Sequence, residues 1–196
     1  KEAEDILSHC LEEAEKDTEN GGGDEMMLVH ALTALAVLYQ AQSHYSIAKE
    51  LYEKALPISR QMQNSPSSLW LAGIIAGYAE TLRKSGDLPM AEMMHREALG
   101  IRNRAAEEQS CTELELAVSY TQLGCTLFGM KQYEEAYGQH RSALHCRYRF
   151  LDFSHGPVSE SLNYCAESLC ALGRHNDAIP LAIHAVEIRK LVFGTS

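Results

Sequence analysis

The sequence lacks the features of membrane-spanning, secreted and disulfide-stabilised proteins. No apolar run reaches about 18 residues and no signal peptide is visible, so we expect no membrane insertion. The six cysteines form no CxxC pair. A helix-favouring chain of 196 residues does not need disulfides to hold its core, so we expect reduced thiols and a cytoplasmic location.

An excess of basic residues is also lacking. The formal net charge is −10, and residues 1–30 alone carry ten acidic and two basic side chains. Nucleic-acid binding depends on basic groups that release counterions from phosphates, and an acidic surface is repelled by anionic lipid. We therefore expect neither nucleic acid nor a membrane surface as a partner.

Motifs for catalysis and for metal or cofactor binding are missing as well. HExxH does not occur, and no Lys-Ser/Thr pair follows GGG at 21–23, so neither a zinc site nor a phosphate loop is predicted. Cys10 and Cys165 fall at positions that we expect to be interior, where a thiol is inert. We expect no enzyme, no cofactor and no bound metal.

What the sequence does contain is one unit copied every 42 to 45 residues. AEMMHREALGIR at 91–102 and AYGQHRSALHCR at 136–147 share Ala, His-Arg and Ala-Leu at the same positions. The pattern Ala-x6-Ala recurs, and a small residue stands twelve positions before each first alanine. The pairs are Ala48 with Ala55, Ala91 with Ala98, Ala136 with Ala143 and Ala178 with Ala185, and the preceding small residues are Ala36, Ala79, Gly124 and Ala166.

Each copy predicts two antiparallel helices, because a short polar turn such as KSGDL at 84–88 separates two stretches of helical periodicity. The small residues allow the helix backbones to approach, and larger side chains fill the space beside them. Pro57 should kink or terminate its helix, SPSS at 65–68 reads as an exposed linker, and Trp70 should pack beneath the 62–68 loop. The predicted helices are a leading helix at 2–16, first helices near 26–41, 69–84, 112–129 and 157–172, and second helices near 45–61, 88–105, 132–151 and 176–192.

The copying also explains a pair of histidines. His95 and His140 occupy the same position in successive copies, so about 10 Å or more should separate them. A shared zinc ion would need nitrogens at about 2.0–2.1 Å. We interpret both histidines as parts of a repeated structural unit.

This pattern resembles the tetratricopeptide repeat, in which a small residue of the first helix faces paired alanines of the second. The period exceeds the usual length of about 34 residues, and in this it is similar to the repeats of kinesin light chains and nephrocystin-type proteins. SHGPVSESLNY at 154–164 looks like that family's entry into the next repeat. The resemblance implies an all-α fold, a right-handed α-solenoid of stacked antiparallel helix pairs with about nine helices. Residues 1–196 would then form one array, with the second helix of a truncated repeat at 2–16 and repeats at 26–61, 69–105, 112–151 and 157–194.

The resemblance also implies a function, which is to bind a protein or peptide segment in a concave groove lined by the first helices. Arg83 and Lys84 could receive an acidic group, and Val37 and Phe128 offer apolar contact. Asn163 alone keeps the amide that kinesin light chains often present in this groove. The residues implied for the groove are His30, Thr33, Val37, Gln40, Glu80, Arg83, Lys84, Thr121, Cys125, Phe128, Glu160, Asn163 and Glu167.

A second hypothesis is a structural or regulatory array that self-associates or controls a neighbouring domain. Apolar residues spread around much of the last helix, so another repeat of a longer protein or a second molecule is expected to cover it. The leading helix has a one-sided apolar stripe at 3, 6, 7, 10, 11 and 14, which could close the array. Arg141, Arg147 and Arg149 with His145 form a basic stretch that could pair with the acidic first thirty residues of another molecule, giving a homo-oligomer. A third hypothesis, an enzyme domain that uses Cys125, lacks a predictable base beside the thiol.

Overall fold

The computed structural model describes residues 2–19, 24–62, 68–151 and 156–194. Within these ranges the chain is all-α, with nine helices and no strand. The helices are α1 (Glu2–Glu19), α2 (Glu25–Ala41), α3 (Tyr45–Gln61), α4 (Ser68–Ser85), α5 (Leu88–Glu107), α6 (Glu113–Gly129), α7 (Tyr133–Phe150), α8 (Gly156–Ala171) and α9 (His175–Phe193).

The chain divides into two compact units, residues 1–94 and 95–196, with the boundary inside α5. In the first unit α1 packs on α2, α2 on α3, and α3 on α4. In the second unit α6 packs on α7, α7 on α8, and α8 on α9. Within each unit these successive helices therefore pack on one another, as they do in the α-solenoid class.

The four turns within the helix pairs share one backbone conformation. Ser43, Gly86, Lys131 and Gly173 all have positive φ, between 63° and 94°, and each stands five residues before the first alanine of its copy. The next residue along donates its amide to a carbonyl of the preceding helix, as His44 does to Tyr39 at 2.8 Å and Gln132 does to Leu127 at 2.9 Å. This satisfies carbonyls at the helix end and fixes where the second helix starts.

The repeated small residues are interior, as predicted. Ala36 and Ala79 are completely buried, Gly124 is buried, and Ala166 is 5% exposed. The paired alanines of the second helices are buried as well, from Ala48 to Ala185. The helix pairs therefore pack through the recurring small positions, and the prediction of nested helix pairs is confirmed.

The helices of the four pairs begin and end within two residues of their predicted positions, whereas α1 extends to Glu19. Of the two effects expected of Pro57, termination of its helix does not occur, since α3 continues to Gln61 as its predicted bounds require, and a kink stays a prediction. Pro57 is exposed, so water can bond the carbonyl that its missing N–H leaves free. GGG at 21–23 and residues 65–67 of the predicted linker lie outside the described residues, and Ser68 already begins α4.

The predictions for α1 were only partly right. Ala14 is buried, but Ile6 is 58% exposed and Cys10 is exposed, so the expectation that Cys10 is interior was wrong. The physical reason is that α2 covers only the side of the stripe that contains Ala14. None of the helices in the described ranges is long and apolar enough to cross a membrane.

Candidate functional site

The first helices of residues 1–94 bring seven of the predicted groove residues onto one surface. We call this surface the α2–α4 face, because α2 and α4 contact each other. Val37 is 57% exposed, and His30 is exposed. Gly73 of α4 is exposed too, and a Cβ built on it would meet nothing within 4 Å. The face therefore has room for a ligand above the α4 backbone. Its predicted members are His30, Thr33, Val37 and Gln40 of α2, and Glu80, Arg83 and Lys84 of α4.

Trp70 contributes an aromatic surface that the sequence did not assign to this face. Its ring centroid lies 5.3 Å from that of His30, at an interplanar angle of 49°, so the two rings join α4 to α2. The spacing of the sequence could have placed Trp70 on this face, because Trp70, Gly73 and Glu80 lie at intervals that keep to one side of a helix. The position predicted for Trp70, beneath the 62–68 loop, involves residues 63–67, which lie outside the described ranges.

The charged end of the α2–α4 face is an ion cluster. Arg83 donates two hydrogen bonds to the Glu80 carboxylate, at 2.8 and 2.7 Å, and the Lys84 ammonium lies 3.9 Å from the same group. Two cations therefore contact the same carboxylate. The negative charge of Glu80 is thus compensated from within the face.

Two polar residues of the face already form hydrogen bonds within the protein. The Thr33 hydroxyl donates to the Val29 carbonyl at 2.8 Å, within its own helix. The Gln40 side-chain oxygen accepts from the Thr81 hydroxyl at 3.4 Å. Such contacts fix the positions of these two side chains. The exposed apolar and charged side chains of the face are then the groups that can contact a ligand.

The first helices of residues 95–196 form a second surface, which we call the α6–α8 face. Cys125 of α6 and Tyr164 of α8 meet on it, and burial, followed by the neighbouring thiol, raises the pKa of Tyr164 to about 12. Thr121 donates its hydroxyl to the Ala117 carbonyl at 2.8 Å. Phe128 is partly buried and lies edge-on to Tyr133, with ring centroids 5.1 Å apart. It therefore packs against the core, whereas Val118 of α6 is an open apolar side chain, 46% exposed.

The remaining members of the α6–α8 face are mainly acidic. Asn163 donates its amide to Glu167 at 2.6 Å, so the one groove asparagine is engaged by a neighbour. Glu160 is exposed and lies 3.7 Å from the buried guanidinium of Arg147. Glu167 is exposed as well. Unlike the α2–α4 face, this surface disfavours an acidic ligand.

One member of the basic stretch predicted on the third copy's second helix is not on the surface. Arg147 is 6% exposed and donates to the Ser161 hydroxyl of α8. Arg149 pairs with Glu113 at 2.6 Å, and the Arg141 guanidinium lies 6.0 Å from the Tyr137 ring centroid. Arg141, His145 and Arg149 are exposed and recur every four residues, which keeps them on one side of α7, whereas Arg147 lies on the packed side.

A pocket of about 700 Å³ lies between α1 and α2. Its apolar lining includes Leu7, Met27 and Ala34, and the exposed Cys10 lies at its wall together with His30. His30 thus borders both this pocket and the α2–α4 face. Within the described part of the chain, no three His, Cys, Asp or Glu side chains are grouped so that they could hold a metal ion.

Comparisons with known proteins agree with this architecture. The family model of the tetratricopeptide repeat matches residues 28–62 and 158–196. No curated protein matches the chain. The crystal structure of BtubC (BKLC) from P. vanneervenii is 25% identical in sequence, has a TM-score of 0.84, and is matched over 100% of this chain and 75% of its own.

Two further solved structures show the same fold. One is a kinesin-light-chain-like protein of Podosopora anserina with nearly identical TPR-like repeats, at 17% identity and a TM-score of 0.71, covering 98% of this chain and 99% of its own. The other is a point variant of that same protein, at 16% identity and a TM-score of 0.74, covering 98% of each chain. With the repeat-model matches, the buried small residues and the paired helices, the chain has the α-solenoid fold of tetratricopeptide repeats and is similar to kinesin-light-chain-like repeat proteins.

Proposed function

We propose that this chain is a non-catalytic protein-interaction module, an adaptor or scaffold that docks a segment of a partner protein on its first helices. Tetratricopeptide repeats generally mediate protein–protein interaction, which gives the broad class. The observation that carries the finer proposal is the α2–α4 face, where Val37 and Gly73 are open to solvent beside the His30–Trp70 ring pair. An apolar and aromatic surface with a charged edge is typical of sites that bind peptides.

The chemistry of the face indicates the kind of segment that fits. The open backbone at Gly73 leaves space for an apolar side chain between Val37 and Trp70. The two cations Arg83 and Lys84 at the edge of the face favour an acidic residue at one end of the segment. The proposed ligand is therefore a short segment that combines an apolar anchor with an acidic residue.

The test is to select peptides of this composition from a displayed library on the immobilised chain and to measure their affinity by fluorescence anisotropy. Val37→Asp should weaken binding at least tenfold, because it places a charge at the apolar anchor. Lys84→Glu should weaken acidic peptides more than neutral ones. Val118→Asp is the matched control, since Val118 is similarly exposed but lies on the α6–α8 face. Equal affinities of the Val37 variant and the Val118 variant would refute the assignment of this face.

The same proposal includes two finer expectations. The chain would be one array, with repeats at 26–61, 69–105, 112–151 and 157–194 following a lone second helix. A cytoplasmic location fits because Cys146 and Cys165 pack as apolar side chains in the core beside leucines such as Leu123 and Leu162.

A second candidate function, self-association or control of a neighbouring domain, is favoured by one specific feature. The last helix exposes Ile179, Ile183 and Leu191, the last of them by 76%. Sedimentation of the chain over a range of concentrations tests this alternative. A monomer at all concentrations would remove self-association, and a dimer that Ile183→Lys dissociates would support it.

A further inference from the structure

Two consecutive second helices carry arginines at the same two positions. These positions stand five and thirteen residues after the first alanine of a copy, and they hold Arg96 and Arg104 in α5 and Arg141 and Arg149 in α7. All four side chains are exposed. The other two second helices, α3 and α9, have no basic residue at either position. The exposed arginines are therefore a local feature of α5 and α7 and not part of the pattern that stacks the repeats.

The exposed sides of α5 and α7 adjoin. Arg96 donates to the Glu135 carboxylate of α7 at 3.0 Å. Within α7 the row from Arg141 to Arg149 advances by about 6 Å with each step of four residues. Between its two arginines α5 has Gly100, where an added Cβ would meet nothing within 4 Å. We call this surface the outer arginine face, and it consists of Arg96, Gly100, Arg104, Arg141, His145 and Arg149.

Few acidic groups oppose the charge of this face. After its first turn α7 contains no Asp or Glu, and α5 contains none between Glu97 and Glu107. Two carboxylates bond to the arginines of the face, Glu135 to Arg96 at 3.0 Å and Glu113 to Arg149 at 2.6 Å. Exposed ion pairs of this kind are individually weak, so the carboxylates of a ligand can replace them.

An apolar pocket adjoins the face at the ends of the two helices. Its volume is about 380 Å³, and its lining includes Ala106 of α5, Leu114 of α6 and Phe150 of α7. Phe150 is 58% exposed and Leu114 is 38% exposed. The Arg149 guanidinium lies 5.9 Å from the centroid of the Phe150 ring, so the pocket begins where the row of α7 ends. The face thus joins a row of cations to an open apolar site.

We propose that the outer arginine face binds an acidic α-helix of a partner protein. Its carboxylates at positions i, i+4 and i+8 face Arg141, His145 and Arg149, and an apolar side chain at its end enters the pocket beside Phe150. Charge complementarity identifies the occupant, since carboxylates four residues apart on a helix have the same spacing as the row of α7. Gly100 leaves room for the partner to approach α5. This face lies on second helices, so the proposal does not depend on docking at the first helices.

The probe is a labelled, alanine-rich helical peptide with glutamates at positions i, i+4 and i+8 and a leucine one turn before the first glutamate. In this order it runs antiparallel to α7, with its first glutamate at Arg149 and its last at Arg141. A matched peptide has the same composition, with the glutamates distributed around the helix. Both are titrated into the intact chain and followed by fluorescence anisotropy. We expect saturable binding of the first peptide, about fivefold tighter than that of the second and weakened by added salt.

Charge reversal tests the contact with the row of α7. Arg141→Glu should weaken the first peptide about fivefold, and a lysine in place of its last glutamate should restore the affinity. Arg189→Glu is the matched control, because it makes the same change of charge at an exposed arginine of α9. This control should leave the affinity within about twofold.

Truncation of Phe150 tests the pocket. Phe150→Ala should weaken the peptide with leucine about fivefold, because the pocket loses an apolar wall. It should leave the affinity unchanged for a peptide with alanine in place of that leucine. Equal losses for the two peptides would show that the pocket does not receive the side chain.

Other outcomes would overturn the proposal. Equal affinities of the two glutamate arrangements, or equal losses from Arg141→Glu and Arg189→Glu, mean that only net charge is sensed. Self-association of the chain that Arg141→Glu abolishes in sedimentation means that a second copy is the occupant. Binding of duplex DNA that is tighter than that of the peptide and depends on Arg141 assigns the face to nucleic acid. Val37→Asp should not change peptide binding, which separates failure here from failure of the α2–α4 face.

Discussion

Gly124 is required by the side chain that lies against it. A Cβ at Gly124 would stand 2.5 Å from Cε1 and 2.6 Å from Nδ1 of His140. The imidazole has nowhere to move, because it is 1% exposed and stacks on the Tyr164 ring with centroids 5.0 Å apart. The third copy therefore uses glycine where the other copies use alanine, and His140 occupies the space that the missing methyl group leaves.

We predict that Gly124→Ala lowers the free energy of unfolding by about 1–3 kcal/mol, as overpacking of a core does. Alanine is by itself the better helix former, by about 1 kcal/mol. In a His140→Ala background the clash is gone, so the same Gly124→Ala change should raise the free energy of unfolding. Urea unfolding followed by circular dichroism measures both. A loss of equal size in the two backgrounds would show that His140 is not the obstacle.

His140 also predicts a pH dependence of stability. Burial, and to a lesser degree Arg147, lowers the pKa of His140 from 6.5 to about 4. Between these values the unfolded chain binds a proton at this histidine that the folded chain does not bind. The contribution of His140 to the free energy of unfolding is therefore fully present above pH 6.5 and is lost as the pH falls towards 4. The full loss is about 3 kcal/mol.

The measurement compares wild type with His140→Phe, in which the ring can still lie against Tyr164. Other groups titrate in the same range, so the quantity of interest is the difference between the two curves of unfolding free energy against pH. The wild-type curve should fall more steeply between pH 6.5 and 4. Parallel curves would show that the buried histidine does not contribute.

At the scale of the element, α3 contains a proline that its packing tolerates. Pro57 lies inside a helix that runs from Tyr45 to Gln61. Buried side chains on both sides of it, such as Leu56 and Ser59, hold the helix against its neighbours. Tertiary packing thus maintains helical backbone across a residue that by itself disfavours it.

This leads to a prediction for Pro57→Ala. The substitution restores an N–H donor inside the helix and removes the ring that opposes the preceding carbonyl, so the free energy of unfolding should rise, by up to about 3 kcal/mol. Thermal and urea denaturation measure the change. Ile47→Ala, at an exposed position of the same helix, is the control for surface substitution in α3. A Pro57 variant less stable than wild type would show that the proline is accommodated without cost.

At the scale of the whole molecule, four of the six cysteines fall into two chemically distinct pairs, and Cys111 and Cys125 are of intermediate exposure. Cys10 and Cys170 are exposed, whereas Cys146 and Cys165 are buried. Burial is the main cause that raises the pKa of both buried thiols to about 12. Because the thiolate is the reactive form, the two buried thiols are protected from modification in two ways: reagents do not reach them, and they stay protonated.

We therefore predict that iodoacetamide labels Cys10 and Cys170 of the folded chain rapidly and labels Cys146 and Cys165 only after unfolding. Peptide mass spectrometry after brief exposure to the reagent gives the extent of labelling at each site. The same reaction in guanidinium chloride, where all six cysteines of the sequence should react, is the control. Rapid labelling of Cys165 in the folded chain would contradict its position in the core.

The helices could be predicted closely from the sequence because two independent signals agree at each pair. The recurring small residues mark which sides of two helices meet, and the polar turns mark where one helix ends. The site could be predicted less well, because position along a repeat does not reveal which side chains bond to each other. Arg147 looked like part of a basic surface, yet it lies inside the fold against Ser161. Phe128 looked like an open contact, yet it packs on Tyr133.

The sequence by itself determined the helix pairs. Small residues that recur in every copy indicate where two helix backbones approach closely, and a similar short polar turn joins the two helices of each copy. Only the tertiary structure decided which surfaces remain for a partner. The carboxylate of Glu80 is shared by two cations, the rings of His30 and Trp70 meet, and Arg141 is exposed where Arg147 of the same helix is buried. Each of these depends on which helix packs beside it, and a linear pattern does not contain that neighbour.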